Sequence, residues 1–306
     1  YVTGNLDATD GSRFGFELTI FRFGLSARHP VSESAWRTNQ VYIAHFAVTD
    51  VRREQFLTAE RFSRGALGLA GAQAEPFRVW IDDCEIAAEN NDTGTWRLAA
   101  SGESFGIDVS LAPQKAPVLN GINGLSQKSA EPGNASYYYS ITRMQTDGTV
   151  HIDGQSFDVT GLSWLDREWS SSALGDDQQG WDWFALQLDD GSDLMYYQLR
   201  KTDGSQDTQS AGTWTAAGST SAYVGSESVR LDVLDTWTSP QGGTYPARWR
   251  LQIPDRGLDI EIVPVLADQE LFTTVRYWEG AVDVSGTREG QPLRGRGYVE
   301  LTGYAD

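Results

Sequence analysis

From Phe14 onward the chain alternates apolar and polar residues with a period of two. FGFELTIFRF (14–23), QVYIAHFAVT (40–49), PFRVWIDDCEI (76–86), TWRLAAS (95–101) and GIDVSL (106–111) each place apolar side chains on one face. The later runs do the same: ASYYYSITRM (135–144), TVHIDG (149–154), WFALQLDD (183–190), LMYYQLRK (194–201) and SVRLDVLDTW (228–237). ARWRLQIP (247–254), LDIEIVPVL (258–266) and RGYVELTGY (296–304) complete the series. Such alternation marks half-buried strands. Asp-Gly pairs at 10–11, 147–148, 190–191 and 203–204 suit tight hairpin turns. REQFLTAERFSRGA (53–66) is the one segment that reads as a short helix. The pattern predicts an all-β chain of antiparallel, up-and-down sheet, and closed or nearly closed barrels manage the edges of so many strands best.

Two segments break the rhythm. APQKAPVLNGINGLSQKSAEPGN (112–134) is rich in proline and glycine and long for a plain connection, as lids and linkers over sites tend to be. SSSALGDDQQG (170–180) has the chemistry of a linker. A chain of 306 residues exceeds one small barrel and suits two domains. The expected division is 1–172 and 173–306.

Composition narrows the function classes. No apolar run approaches the ~20 residues that a bilayer-spanning helix needs. The net charge of -18 repels phosphate backbones, which argues against a nucleic-acid partner. Lysine occurs three times, at 115, 128 and 201, and arginine supplies the other positive charges. That balance fits an extracytoplasmic protein, a salt-adapted one or a GC-rich genome. The lone cysteine, Cys84, alternates out of a strand and reads as a small core residue, and a single thiol is compatible with export. A periplasmic or secreted location is therefore expected, with any export signal outside this numbering.

Chemistry concentrates between Gly161 and Arg200, where Trp164, Trp169, Trp181 and Trp183 stand among Asp166, Arg167, Glu168 and Asp182. Ionisable groups so close to aromatic surface must be paired or have shifted pKa values once buried. Alternation sends Trp164, Asp166 and Glu168 to one face of a strand, and Leu165, Arg167 and Trp169 to the other. Two readings stay open: a carboxylate–guanidinium lock plugged by tryptophan, or a general acid at Asp166 or Glu168 facing a ligand between aromatic walls. Trp164, Arg167, Trp169, Trp181, Trp183 and Tyr197 are candidate ligand contacts, although large aromatics also make good core. His45 sits among Ile43 and Ala47, and reads as a hydrogen-bonded core histidine or as a base lining the pocket. With His29, His45 and His151 scattered and without partner cysteines, neither a metal site nor a cofactor is expected. Gly102-Glu103-Ser104-Phe105-Gly106 matches the GxSxG of hydrolases, but strand-like flanks make it a turn.

WLDREWSSS, GWDWFALQLDDGSDLMYYQLR, ASYYYSITRM and YWEGAVDVSG…GRGYVELTGY (277–304) resemble the AttH-like proteins nearly end to end. That bacterial family is related to carotenoid 1,2-hydratases and is often labelled a predicted secreted hydrolase. The resemblance implies two consecutive lipocalin-like (calycin) β-barrel domains. It also brings in kievitone-type hydratases and fungal pericyclases, whose barrels enclose an apolar substrate. The hydratases carry Asp-His-x-Trp where this chain has Asp166-Arg167-Glu168-Trp169. Arginine cannot exchange a proton near neutrality, so a histidine-dependent step does not transfer.

The leading expectation is an exported protein that binds a lipophilic small molecule, such as a terpenoid, lipid or polyketide, in an aromatic-lined pocket. The first alternative is a hydratase- or lyase-like enzyme that protonates an isoprenoid-like alkene with a carboxylic acid. The second is a cell-envelope protein with filled barrels and envelope-associated partners. An internal carboxylic acid with a raised pKa favours the enzyme over the carrier.

Overall fold

The computed structural model describes residues 1–28, 31–90, 94–170 and 174–305. His29 and the expected division between 172 and 173 lie outside them. Among the described residues there is no α-helix, and the strands form two antiparallel sheets, curled into a barrel and a half-barrel. The architecture is that of two lipocalin-like domains.

The first sheet contains β1 (Val2–Ala8), β2 (Arg13–Gly24), β3 (Gln40–Asp50), β4 (Gln55–Arg64), β5 (Ala70–Gln73), β6 (Arg78–Ile81) and β7 (Cys84–Asn90). It continues with β8 (Thr95–Ser101), β9 (Phe105–Pro113), β10 (Val118–Leu119), β11 (Leu125–Gln127), β12 (Ala135–Ile152) and β13 (Gln155–Ser170). The second sheet contains β14 (Gln178–Leu188), β15 (Asp193–Lys201), β16 (Ala211–Thr215), β17 (Ser221–Gly225) and β18 (Arg230–Thr238). After these come β19 (Thr244–Ile253), β20 (Leu258–Pro264), β21 (Glu270–Phe272), β22 (Arg276–Arg288) and β23 (Gln291–Leu301). Strand order in the second sheet is β17-β16-β15-β14-β23-β22-β20-β19-β18, with β21 beside β22. By compactness the chain divides into Tyr1–Gln114 with Met144–Ser163, and Lys115–Arg143 with Trp164–Asp306. Strands β12 and β13 are each shared between these units.

Three local expectations are corrected. Residues 55–64 form β4 rather than a helix, because they pair with β3 along their whole length, from Val41 opposite Arg64 to Asp50 opposite Gln55. Ladder bonding to a neighbouring strand outweighs a weak helical propensity. Asp147-Gly148 is no turn but lies inside β12. Gly148 is required there because a Cβ would strike the Asp108 carbonyl on β9. PFRVWIDDCEI is not one strand: Asp82, with φ of 52°, turns the chain between β6 and β7. The Gly102–Gly106 segment is the expected turn, joining β8 to β9, with the Gly102 N–H donating to the Phe105 carbonyl. Cys84 is buried as expected, and burial pushes its thiol up to about 11, with the Asp83 charge adding to the shift.

In the second sheet the alternation decides what each face does. Phe184, Leu186 and Leu188 of β14 join Leu194, Tyr196, Trp249, Trp278, Val299 and Leu301 in one continuous apolar core. Phe184 meets Trp249 edge-on, with ring centroids 5.6 Å apart. This face is filled by the protein's own side chains. The residues one step out of phase, Trp181, Trp183 and Gln187, turn to the opposite face.

Candidate active site

The second face of β14 and β15 is covered by residues 115–143, which comprise most of the 112–134 segment read from the sequence as a lid or linker and the first part of β12. A buried ion cluster fixes one end. The Lys115 ammonium lies 2.6 Å from the Asp193 carboxylate, and the Arg143 guanidinium is 2.7 Å away on the other oxygen. Thr142 donates to the same carboxylate at 2.8 Å, while the Gln187 amide donates to the Thr142 carbonyl. Two cations and a hydroxyl offset the cost of burying one charge. Gly121, with φ of +68°, makes the turn that brings Leu125 back beneath it, where a Cβ would strike the Leu125 carbonyl. Farther along, the Ser126 and Tyr197 hydroxyls share a hydrogen bond of 2.8 Å.

Beneath this cover sits Asp166, near the end of β13 and 7% exposed. Three neutral donors converge on its carboxylate. The Tyr138 hydroxyl donates to Oδ2 at 2.5 Å, the Ser140 hydroxyl to Oδ1 at 2.5 Å, and the Trp164 indole to Oδ1 at 2.7 Å. Alternation along β12 puts Tyr138 and Ser140 on the same side, and alternation along β13 does so for Trp164 and Asp166. Burial pushes the Asp166 carboxyl up to about 6, against the lowering effect of those three bonds. Tyr138 itself is raised well above its ordinary value, first by burial and then by the Asp166 charge, so it remains a neutral donor.

The Trp183 indole donates to the Tyr138 oxygen at 3.0 Å, which ties the second sheet to this cluster. Next to it, the Lys128 ammonium lies 4.3 Å from the centre of the Tyr197 ring and 5.3 Å from that of Tyr138. It also pairs with Glu168 at 2.8 Å, and Ser136 donates to the same Glu168 oxygen. Burial pulls Lys128 down, but the Glu168 charge and its other neighbours more than offset that, and its net pKa is raised. The site is therefore one carboxylate held by neutral donors, one ion pair and a wall of Trp164, Trp183, Tyr138 and Tyr197.

Glu300 completes the set. It stands on β23 opposite Trp183 in the ladder, so both side chains leave the same face. Its carboxylate accepts a hydrogen bond from the Trp181 indole at 2.9 Å. Burial pushes it up to about 7, against that bond, and the charges of Glu168 and Asp166 add to the shift.

Of the residues expected from the sequence, the structure gathers Trp164, Asp166, Glu168, Trp181, Trp183 and Tyr197 on this face. Trp169 and Arg167 leave the other side of β13 and are exposed, and Trp169 packs on Tyr137 with centroids 5.8 Å apart. His45 belongs to the first unit, where its Nε2 lies 3.1 Å from Glu60 and the Phe21 ring stands edge-on to it. Burial lowers its pKa against the pull of Glu60. Sequence reasoning missed Tyr138, Ser140, Lys128 and Glu300. A usable signal existed for Glu300, an acid between Val299 and Leu301 in a strand otherwise apolar at its end.

Among the described residues no cluster of histidine, cysteine and carboxylate side chains is suited to hold a metal ion. The sequence profile of the AttH-like family matches residues 1–304. An AttH from Nitrosomonas europaea, known from its crystal structure, is 34% identical, with a TM-score of 0.87 over 100% of this chain and 91% of that one. Kievitone hydratase from Nectria haematococca shares the fold at 16% identity and a TM-score of 0.78, over 99% and 88% of the two chains. No curated protein matches the chain.

Proposed function

The chain belongs to the AttH-like family, and we propose that it is an enzyme of the hydratase or lyase type. Its substrate on this reading is a lipophilic small molecule carrying an isolated alkene, of isoprenoid or related character. The observation that carries the reading is the Asp166 carboxyl, held near a pKa of about 6 by burial among aromatic rings. A purely structural aspartate has no need of that setting: Asp193, in the same unit, is neutralised by Lys115 and Arg143 instead. A carboxyl that exchanges its proton near neutrality suits acid–base chemistry. The face of Trp183 suits an apolar substrate and stabilises positive charge that develops on it, whereas the rings of Tyr138 and Tyr197 are engaged by the Lys128 ammonium. The fold shared with kievitone hydratase agrees with such a site without specifying the reaction.

The aromatic wall alone would also serve a carrier, so turnover is the deciding measurement. Incubation with geraniol, farnesol or oleic acid in water labelled with ¹⁸O should give a labelled alcohol. Asp166→Asn should lower the rate by about 100-fold or more, the range of general acid–base effects, while leaving a cooperative melt. Ligand binding detected by tryptophan quenching, with no labelled product from any of the three, would return the protein to the carrier class.

A further inference from the structure

Two carboxylates of different surroundings flank the Trp183 indole. Among the described residues Asp166 receives hydrogen bonds from Tyr138, Ser140 and Trp164. Glu300 receives one among those residues, from Trp181. Donors that point at a carboxylate favour its charged form, and burial without donors favours the neutral acid. Glu300 also faces more negative than positive neighbours. Glu279 stands opposite it on β22, and the charges of Glu168 and Asp166 raise its proton affinity further. On the remaining sides are Trp183 in register on β14, and Tyr197 opposite Trp183 on β15. Lys128 is paired with Glu168, and the positive charge of Tyr1's amino group offsets only part of the rise at Glu300. Glu300 nevertheless keeps accessible surface. An acid that is largely desolvated and yet partly accessible can exchange its proton with a small molecule that reaches it.

We propose that Glu300 is the proton donor of the reaction and that Asp166 is the base that receives the proton of the attacking water. This assignment rests on the hydratase reading and reverses the role that the sequence suggests for Asp166. The protonated Glu300 carboxyl gives its proton to one alkene carbon. The π pair forms the C–H bond, Glu300 becomes a carboxylate, and a carbocation is left against the face of Trp183. The oxygen of a water molecule then forms the C–O bond. Its surplus proton passes to the Asp166 carboxylate, whose charge Tyr138, Ser140 and Trp164 have held in place. Alkene and water have become an alcohol, and the proton on Asp166 returns to Glu300 through water. No oxidant or cofactor enters the balance. The directions of the two shifts agree: Glu300 keeps its proton to about pH 7, and Asp166 gives its own up above about 6. Turnover is then bell-shaped, its acid limb set by Asp166 and its basic limb by Glu300.

The test uses the full-length protein with geraniol and farnesol in D2O and, separately, in ¹⁸O-labelled water. Glu300→Gln should lose both deuterium and ¹⁸O incorporation, each by about 100-fold or more, because no cation forms. Asp166→Asn should lose ¹⁸O incorporation to the same extent but still wash deuterium into recovered alkene, since Glu300 can give and retake a proton. Should Glu300→Gln fold poorly, Trp181→Phe removes the indole donor to Glu300 and should move the basic limb of the pH profile upward. The opposite isotope pattern, with Glu300→Gln exchanging deuterium but adding no ¹⁸O, would make Asp166 the acid and overturn the assignment. Unchanged turnover in Glu300→Gln, or an unmoved limb in Trp181→Phe, would remove Glu300 from the reaction and leave the hydratase reading standing. Neither isotope entering with the unaltered protein would overturn that reading and this assignment together.

Discussion

Phe184, Leu186 and Leu188 of β14 face a core in which apolar side chains fill the available space, whereas Trp181, Trp183 and Gln187 donate to a carboxylate, a tyrosine hydroxyl and a backbone carbonyl. The two sets come from one strand, offset by a single residue. On the core face, specificity is a matter of shape and volume, and many apolar substitutes of similar size would serve. On the other face most polar groups are withdrawn from water, and each of those must find a partner or change its protonation state. The two buried aspartates on that side show both outcomes. Asp193 is matched by cations, and Asp166 is matched by neutral donors with a raised pKa. Matching by cations fixes the covering segment in place, while matching by neutral donors leaves a proton to exchange.

The strongest way to break this contrast is at Asp193. Its replacement by alanine leaves the Lys115 ammonium and the Arg143 guanidinium without their shared carboxylate. The Lys115 side chain is 5% exposed, so an uncompensated buried charge should cost about 3–5 kcal/mol. Denaturant unfolding would measure it. A loss below about 1 kcal/mol would mean that residues 115–143 are held chiefly by their other contacts, such as Ser126 with Tyr197 and Tyr138 with Trp183, and not by the ion cluster.

Proton linkage gives the next largest effect. Asp166 and Glu300 both have folded-state pKa values above their ordinary ones, pushed up mainly by burial to about 6 and about 7. The stability such groups contribute is complete below their unfolded values near 4 and is lost as pH rises through 6 and then 7. Acidification from about pH 8 to about pH 5.5 should therefore restore about 2–3 kcal/mol through the pair, since a tenfold change in proton affinity is worth about 1.4 kcal/mol. His45, whose pKa burial lowers, acts in the opposite sense over the same range. Comparing the protein with its Asp166→Asn, Glu300→Gln double variant cancels that contribution. If the double variant gains as much on acidification as the unaltered chain, the two carboxylates are not the source.

The same contrast explains what could be read from the sequence. Period-two alternation is a local property, so the all-β class and the strands around Phe16, Tyr42 and Trp249 were legible. So was the aromatic and acidic density from Trp164 to Trp183. Elements settled by distant pairing were not: β4 carries a helix-like composition, and Asp147-Gly148 carries a turn signature, yet β3 and β9 decide both. The site was half legible for the same reason. Asp166 and Trp183 announce themselves within one stretch, but Tyr138, Lys128 and Glu300 reach them from positions about 28, 38 and 134 residues away, and nothing local marks their convergence. The neutral donors on Asp166 were also out of reach, since the sequence offers Arg167 as the nearer partner, and alternation sends Arg167 to the other side of β13.

That other side supplies the smallest expected effect and the sharpest check on which face matters. Trp169 is 52% exposed and packs on Tyr137 and Tyr139, three residues from Asp166 in sequence but on the opposite side of the strand. An exposed aromatic contact of this kind contributes about 1 kcal/mol, so Trp169→Ala should lower the melting temperature only slightly. Because its ring points away from Asp166 and Trp183, alkene hydration should be unchanged, whereas Trp183→Ala should lose it. Equal losses of turnover in the two variants would mean that substrate reaches both sides of β13. A tenfold fall confined to Trp169→Ala would move the site to the exposed side and leave the buried carboxylates as structural groups, because a ring that contacts no substrate cannot alter its turnover while the fold is kept.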